Sequence, residues 1–375
     1  MRGHRPHSRT DGILTRTCTC TCTHTRTRAP HPFRTRSAPQ TATGVIGEWL
    51  NKSMKLLRAA SALAATAMAA AALVLTGTAG ASAAVLGAPT DEQVPWRWWD
   101  GAAHQLTTGL ADPPGLNRDD CQPSEHHPNP VILVHGTGLN GGNSWATVGA
   151  ALAAEGFCVW APTVGAPSGM GSTGGFDSLT GASAPQLAAE IDRVRELTGA
   201  EHVDLVGHSQ GAIVASFVAA TARANAVRTV VTLGADPTKS GEGPPEFVTA
   251  MMGVLSAETT QRDAEATLAW LGDEGVPYAR GVRYVAVTSD YDELTGPITA
   301  PRVPDWVDLR VVRLQDGCEA DRSGHLTVLA SPRAVDLVVD ALGTSDTGGN
   351  RTDTRPLRCV PADQLTGVLA PVPPR

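Results

Sequence analysis

The chain has 375 residues, with 30 Lys and Arg against 37 Asp and Glu and a formal charge of −7. The charge is unevenly placed: residues 1–84 carry 11 basic and 2 acidic side chains, which leaves 19 basic and 35 acidic, a balance of −16, with Lys239 as the single lysine. This argues against nucleic acid and anionic membrane surfaces as partners and suits a soluble, secreted monomer.

Residues 1–53 have no apolar periodicity and read as a disordered or misannotated leader. Their Cys18-Thr19-Cys20-Thr21-Cys22 tract lacks the second cluster that a metal site needs. Translation is expected to start at Met54. Lys55 and Arg58 then precede the uncharged run Ala59–Leu75, and Ala81-Ser82-Ala83 offers a small-x-small cleavage site. Residues 54–84 therefore read as a signal peptide, and a transmembrane anchor is the competing reading. Four cysteines remain after it, at 121, 158, 318 and 359. An even number in an exported chain implies two disulfides.

Residues 85–343 read as one α/β domain. Trp96, Trp98 and Trp99 lie in its Pro- and Gly-spotted arm, either packed onto the core or offered to a ligand. Strands are expected at Pro130–Val134, Phe157–Trp160, Val203–Val206, Val227–Leu233, Val282–Thr288 and Val307–Leu314. Their near-continuous apolar character belongs to a parallel sheet covered on both faces. Between them, Ser144 is the expected N-cap of a helix that stops at Gly156. Pro185 opens a helix with Leu187, Ile191, Val194 and Leu197 on one face, residues 209–223 form another, and Ser331–Leu342 the last. This alternation predicts a doubly wound, mostly parallel sheet. It breaks at residues 236–280, an insertion expected to form a helical cap over a site, with Met251, Met252 and Leu255 as lining residues. Residues 344–375 form a Thr/Asp/Gly/Pro-rich tail with little to anchor it except Cys359.

The chemistry centres on Gly207-His208-Ser209-Gln210-Gly211, set between an apolar strand and an Ala/Val-rich helix. So abrupt a strand-to-helix turn strains the central residue and presents Ser209 at the positive end of a helix, where a nucleophile is useful. A serine nucleophile needs a base, and Gly324-His325-Leu326 follows the last strand, with an imidazole whose ordinary pKa near 6.5 permits proton exchange. It also needs a carboxylate. The loop Ser289-Asp290-Tyr291-Asp292-Glu293 offers Asp292, preferred for its mid-loop place, with Asp290 as the alternative. The order Ser209, Asp292, His325 fits the α/β-hydrolase arrangement. Oxyanion donors are expected from the backbone N–H groups of Gln210 and of Thr137, which follows His135-Gly136.

The motifs His135-Gly136-Thr137-Gly138, Gly207-His208-Ser209-Gln210-Gly211, Tyr291-Asp292-Glu293 and Gly324-His325-Leu326 together resemble secreted bacterial lipases and esterases of the class 2 lipase group. The resemblance spans roughly residues 121–342. It implies an α/β-hydrolase fold, acyl-ester hydrolysis by a triacylglycerol lipase or carboxylesterase, no metal or organic cofactor, and transient contact with a lipid interface. The chain departs from the group at Leu294-Thr295-Gly296, where bulkier apolar residues are usual. An acyltransferase, a peptidase or a polyester hydrolase could use the same groups, and a binding module that has lost catalysis is the reading from another class. For the disulfides, Cys121 precedes the first core strand and Cys158 lies in the next, which predicts Cys121–Cys158. The remaining pair, Cys318–Cys359, would fasten the loop that carries His325.

Overall fold

The computed structural model describes residues 112–168, 172–235, 237, 262–263, 265–266, 269, 277–298, 303–343 and 356–359. The leader, the signal segment, the tryptophan arm, most of the 236–280 insertion with its Met251, Met252 and Leu255, and most of the tail lie outside these residues. Six strands form one sheet: β1 (Val131–Val134), β2 (Val159–Trp160), β3 (Val203–His208), β4 (Val227–Leu233), β5 (Arg283–Thr288) and β6 (Asp308–Arg313). Their order is β2-β1-β3-β4-β5-β6 and every pairing is parallel.

Strand periodicity explains the layering. Along β1, Val131 and Leu133 enter one core cluster, and Ile132 and Val134 the other. All four are buried because successive side chains point to opposite faces of a sheet that is covered on both. Helices α1 (Gly141–Ala154) and α4 (Pro332–Gly343) supply Trp145, Leu152, Val335 and Val338 to the first cluster. Helices α2 (Ala184–Thr198) and α3 (Gln210–Ala220) supply Leu187, Ile191, Val214 and Val218 to the second.

Two boundaries differ from the sequence reading for local reasons. Helix α1 is capped by Asn140 rather than Ser144. The Asn140 side chain accepts from the Asn143 N–H at 2.9 Å, and Asn143 Oδ1 accepts from the Asn140 N–H at 3.0 Å. This reciprocal box lets the helix begin one turn earlier than Ser144 allows. Strand β2 keeps only Val159 and Trp160 of the four expected residues, although Phe157 and Cys158 stay buried beside it.

Both cysteine pairs are joined, Cys121 to Cys158 and Cys318 to Cys359, with Cα–Cα separations of 5.7 and 5.4 Å. The tail has more to hold it than its cysteine. Arg358 donates through its main-chain N–H, Nε and Nη2 to the buried Asp336 carboxylate of α4 at 2.6–3.0 Å, and Leu357 packs against the first core cluster. The disulfide spans 41 residues, worth about 4 kcal/mol on a chain-entropy argument. It also prepays the ordering of Arg358, so the two anchors should be coupled. Arg358→Ala is expected to cost less in a Cys359→Ser background than in the native chain, by more than about 0.5 kcal/mol in a urea double-mutant cycle. Strict additivity would mean that the two anchors act independently.

The centre of the sheet also buries a carboxylate. Asp204 of β3 is 1% exposed and accepts from Asn129 Nδ2 at 3.3 Å. Burial pushes its pKa up to about 6, against the opposing influence of Arg228, Thr229 and Asn129. A carboxyl raised in the folded state contributes stability at pH below its unfolded value, and that stability is lost as pH rises through 6. The penalty at neutral pH is on the order of 3 kcal/mol. Asp204→Asn, which keeps an acceptor for Asn129, should therefore raise the unfolding midpoint at about pH 7.5 and barely change it at about pH 3.5. Equal shifts at both pH values would refute the assignment.

Candidate active site

Ser209 joins β3 to α3 with φ 53° and ψ −125°. Among the described residues only it and Asn117 combine a side chain with positive φ. The turn is possible because the residues two before and two after it lack side chains. A Cβ on Gly207 would stand 2.5–2.6 Å from the backbone of Ala212, and one on Gly211 would collide with the carbonyl oxygens of Val134 and His135. The Ser209 N–H is used by the Leu233 carbonyl at 3.0 Å. The Gln210 N–H, at the start of α3, has no carbonyl four residues behind it inside the helix and is available at that end.

The loop after β1 closes on the serine. A Cβ on Gly136 would lie 3.0 Å from Ser209 Cβ. The next contact was not anticipated from sequence: the Gly174-Gly175 segment, between β2 and α2, lies on the same spot. Gly138 N–H donates to Gly174 O at 3.0 Å, and Gly174 N–H to Leu139 O at 2.8 Å. At Gly175, with φ 73°, a Cβ would be 2.7 Å from both Thr137 Cα and Gln210 Oε1. Thr137 and Gln210 thus meet around one glycine beside Ser209. His135 fixes this loop from below, with Nδ1–H donating to Gly136 O at 2.9 Å and Nε2 accepting from Val164 N–H at 3.0 Å. Burial lowers its pKa to about 4 despite the Gly136 bond, so the ring is neutral.

The loops that carry Asp292 and His325 meet at the ends of β4 and β5. His325 Nδ1 lies 2.9 Å from Asp292 Oδ2 and 3.1 Å from Oδ1, and both residues are buried. Asp292 Oδ1 also accepts the N–H groups of Leu294 at 3.0 Å and Thr295 at 2.8 Å. Burial raises the Asp292 pKa, but the bonds and charge of His325 and the Thr295 bonds outweigh it and hold the carboxyl below its ordinary value. The Thr295 hydroxyl donates to Gly234 O at 3.2 Å, so the position that departs from the lipase pattern braces the acid loop. Gly234 follows Leu233, the partner of the Ser209 N–H, and a Cβ there would lie 2.9 Å from Asp292 Oδ2 and 3.2 Å from His325 Nδ1. A glycine closing an apolar strand was the signal for it. Asp290 turns away to Arg313 Nη1 at 3.5 Å and is not brought to His325.

The base loop does not depend on the Cys318–Cys359 bond alone. Asp321 accepts the N–H and Oγ–H of Ser323 at 2.9 and 2.6 Å and the Ser331 hydroxyl at 2.7 Å, and Ser289 Oγ donates to Ser323 O at 2.6 Å. His208 also reaches this loop: its Nε2–H donates to the His325 carbonyl at 2.8 Å. From the insertion, Asp263 accepts from Ser178 Oγ, Leu179 N–H and Thr180 N–H at 2.7–2.9 Å. These bonds tie it to the π-helical turn Leu179–Ser183.

Residues 129–273 match the family model described as alpha/beta hydrolase fold. Similar solved structures include 2-hydroxy-6-oxo-6-phenylhexa-2,4-dienoate hydrolase from Rhodococcus sp. strain RHA1, at 16% identity and TM-score 0.37, covering 58% of this chain and 91% of that one. Another is an alpha/beta hydrolase fold protein from Burkholderia ambifaria, at 16% and 0.35, covering 56% and 90%. A third is the thioesterase domain from the curacin biosynthetic pathway, at 17% and 0.33, covering 60% and 93%. Asp292 and His325 lie beyond the matched segment, so their pairing stands on geometry. With its parallel six-stranded sheet among the described residues and the family match through the serine turn, the chain has the α/β-hydrolase fold.

Proposed function

We propose that this chain is an exported serine hydrolase of carboxylic acyl esters, of the lipase and esterase type. The observation that carries the reading is the buried Asp292–His325 bond, together with a serine strained to φ 53° at a helix N-terminus, one residue after the His208 ring that lies 4.9 Å from that of His325. Folds of this class host several chemistries, so the reaction is argued from these groups and not from the fold.

His325 takes the Ser209 proton as Oγ attacks the ester carbonyl carbon. Asp292, kept ionised, holds the imidazole by Nδ1–H and offsets the positive charge that forms on it. The carbonyl oxygen becomes an oxyanion and receives the backbone N–H groups of Thr137 and Gln210, each donor worth about 3 kcal/mol in the transition state. Collapse expels the alcohol, protonated by His325, and leaves an acyl-Ser209 ester. Water, deprotonated by His325, then releases the acid and restores the serine. The route needs only the chain's own groups and water, with a small or lipid ester as partner. Two disulfides suit the oxidising compartment that the amino-terminal signal segment implies.

The test is a set of rates on p-nitrophenyl butyrate with the secreted protein. Ser209→Ala and His325→Ala should abolish hydrolysis, and a fluorophosphonate should label Ser209 in the native chain only. Asp292→Asn should lose about 10⁴-fold in kcat, and Asp290→Asn less than about 10-fold. An active Ser209→Ala, or the opposite ranking of the two Asp variants, would overturn the assignment. Transfer of the acyl group to added alcohol in preference to water would make the enzyme an acyltransferase.

A further inference from the structure

Both backbone groups of His325 are held by side chains from outside its own loop. Its N–H donates to Glu293 Oε2 at 2.9 Å, and its carbonyl accepts from His208 Nε2–H at 2.8 Å. The places of these two side chains in the chain give the arrangement its meaning. Glu293 immediately follows Asp292, and His208 immediately precedes Ser209. The loop of the acid and the strand of the nucleophile thus each grip the main chain of the base.

The two grips flank one Cα, so together they restrain the rotations on either side of it that swing the imidazole. The preceding residue is part of the fit: Glu293 Cδ would lie 3.2 Å from a Cβ on Gly324, so the carboxylate packs directly on a main chain that has no side chain to push it off. The His208 ring lies 4.9 Å, centroid to centroid, from that of His325. Because its Nε2 carries the proton given to the carbonyl, and burial first and the neighbouring His325 second lower its pKa to about 3, the ring is neutral. A charged ring at that distance would oppose the imidazolium formed on His325 during proton transfer.

We propose that His208 and Glu293 are positioning residues that clamp the carbonyl and N–H of His325 and so keep its imidazole on Asp292 throughout the reaction. The proposal rests on the reading of His325 as the base. Neither residue touches the substrate. Their effect is on the precision of the base, where a displacement of about 1 Å can cost a factor of ~100 in rate.

The experiment compares deleting and conserving variants in ester hydrolysis, with the unfolding midpoint of each measured in parallel. Glu293→Ala and His208→Leu remove an acceptor and a donor. Glu293→Gln keeps an oxygen acceptor and His208→Gln an N–H at similar reach. At a temperature well below every midpoint, each deleting variant should lower kcat by ~10–100-fold with KM within about 2-fold, and each Gln variant should recover to within about 3-fold of the native rate. A purely structural role predicts instead that activity is lost only as the midpoint is approached, without selective recovery by Gln. Full kcat in Glu293→Ala, or loss that Glu293→Gln does not restore, would overturn the proposal. If His208→Leu does not fold, the half-buried Glu293 pair decides it alone. A Ser209→Ala control separates the failures. If that variant is active, the hydrolase reading itself fails. If it is inactive while Glu293→Ala is fully active, only the clamp fails.

Discussion

The positive φ of Ser209 is the constraint on which the rest depends. A side-chain-bearing residue held there costs on the order of 1–3 kcal/mol and persists only where its surroundings leave no alternative. Here they leave none. Strand β3 is hydrogen-bonded on both sides, to β1 and β4, and α3 is pressed so closely onto β1 that position 211 must be glycine. The same closeness brings the loop after β1 to within a Cβ's reach of the serine. Strand, helix and donor loop are therefore parts of one packing solution.

Three buried histidines within this small region have different roles, set by what each nitrogen meets. His135 and His208 each donate to a backbone carbonyl, and burial drives both pKa values well below neutrality, so they serve as fixed struts. His325 alone presents a ring nitrogen to a carboxylate. Aspartate burial is resolved in the same way. Asp292 has an imidazole and two N–H groups for its charge and is held below its ordinary pKa, whereas Asp204 has only weak partners and is pushed up. Similar burial yields opposite pKa shifts because the hydrogen-bond partners differ.

Much of this was legible in the sequence because it depends on short-range rules. Apolar runs of strand length and the Gly207-x-Ser209-x-Gly211 turn each state their own geometry locally. The preference for Asp292 over Asp290 had only a mid-loop place to rest on, since both follow the same strand; in the structure the two-residue difference brings Asp292 to His325 and turns Asp290 to Arg313. The roles of Gly175, Thr295 and Gly234 were harder to read for a related reason, with only a strand-closing glycine as a signal for Gly234: each matters through an approach between segments distant in sequence. The cap of α1 was misplaced because asparagine reciprocity at 140 and 143 outweighed a serine one turn later. The tail was read as weakly held because Arg358 finds its partner on α4, 22 residues earlier in the chain.

The late part of the chain shows how His325 is held on a loop. His325 follows the edge strand β6, whose exposed and half-buried residues give it less support than β3 receives. A loop leaving such a strand would ordinarily be among the more mobile parts of a domain. It is instead tied through side chains: Asp321 to Ser323 and Ser331 within the segment, Ser289 from the end of β5, Thr327 back to Gly324, and Glu293 and His208 from outside. Almost all of these bonds converge on the four residues 321, 323, 324 and 325, and the Cys318 linkage closes the segment at its start. Precision that the sheet supplies to Ser209 through backbone pairing is supplied to His325 through polar side chains. Substitutions around Ser209 should therefore be resisted mainly by packing, and substitutions around His325 by the loss of particular hydrogen bonds.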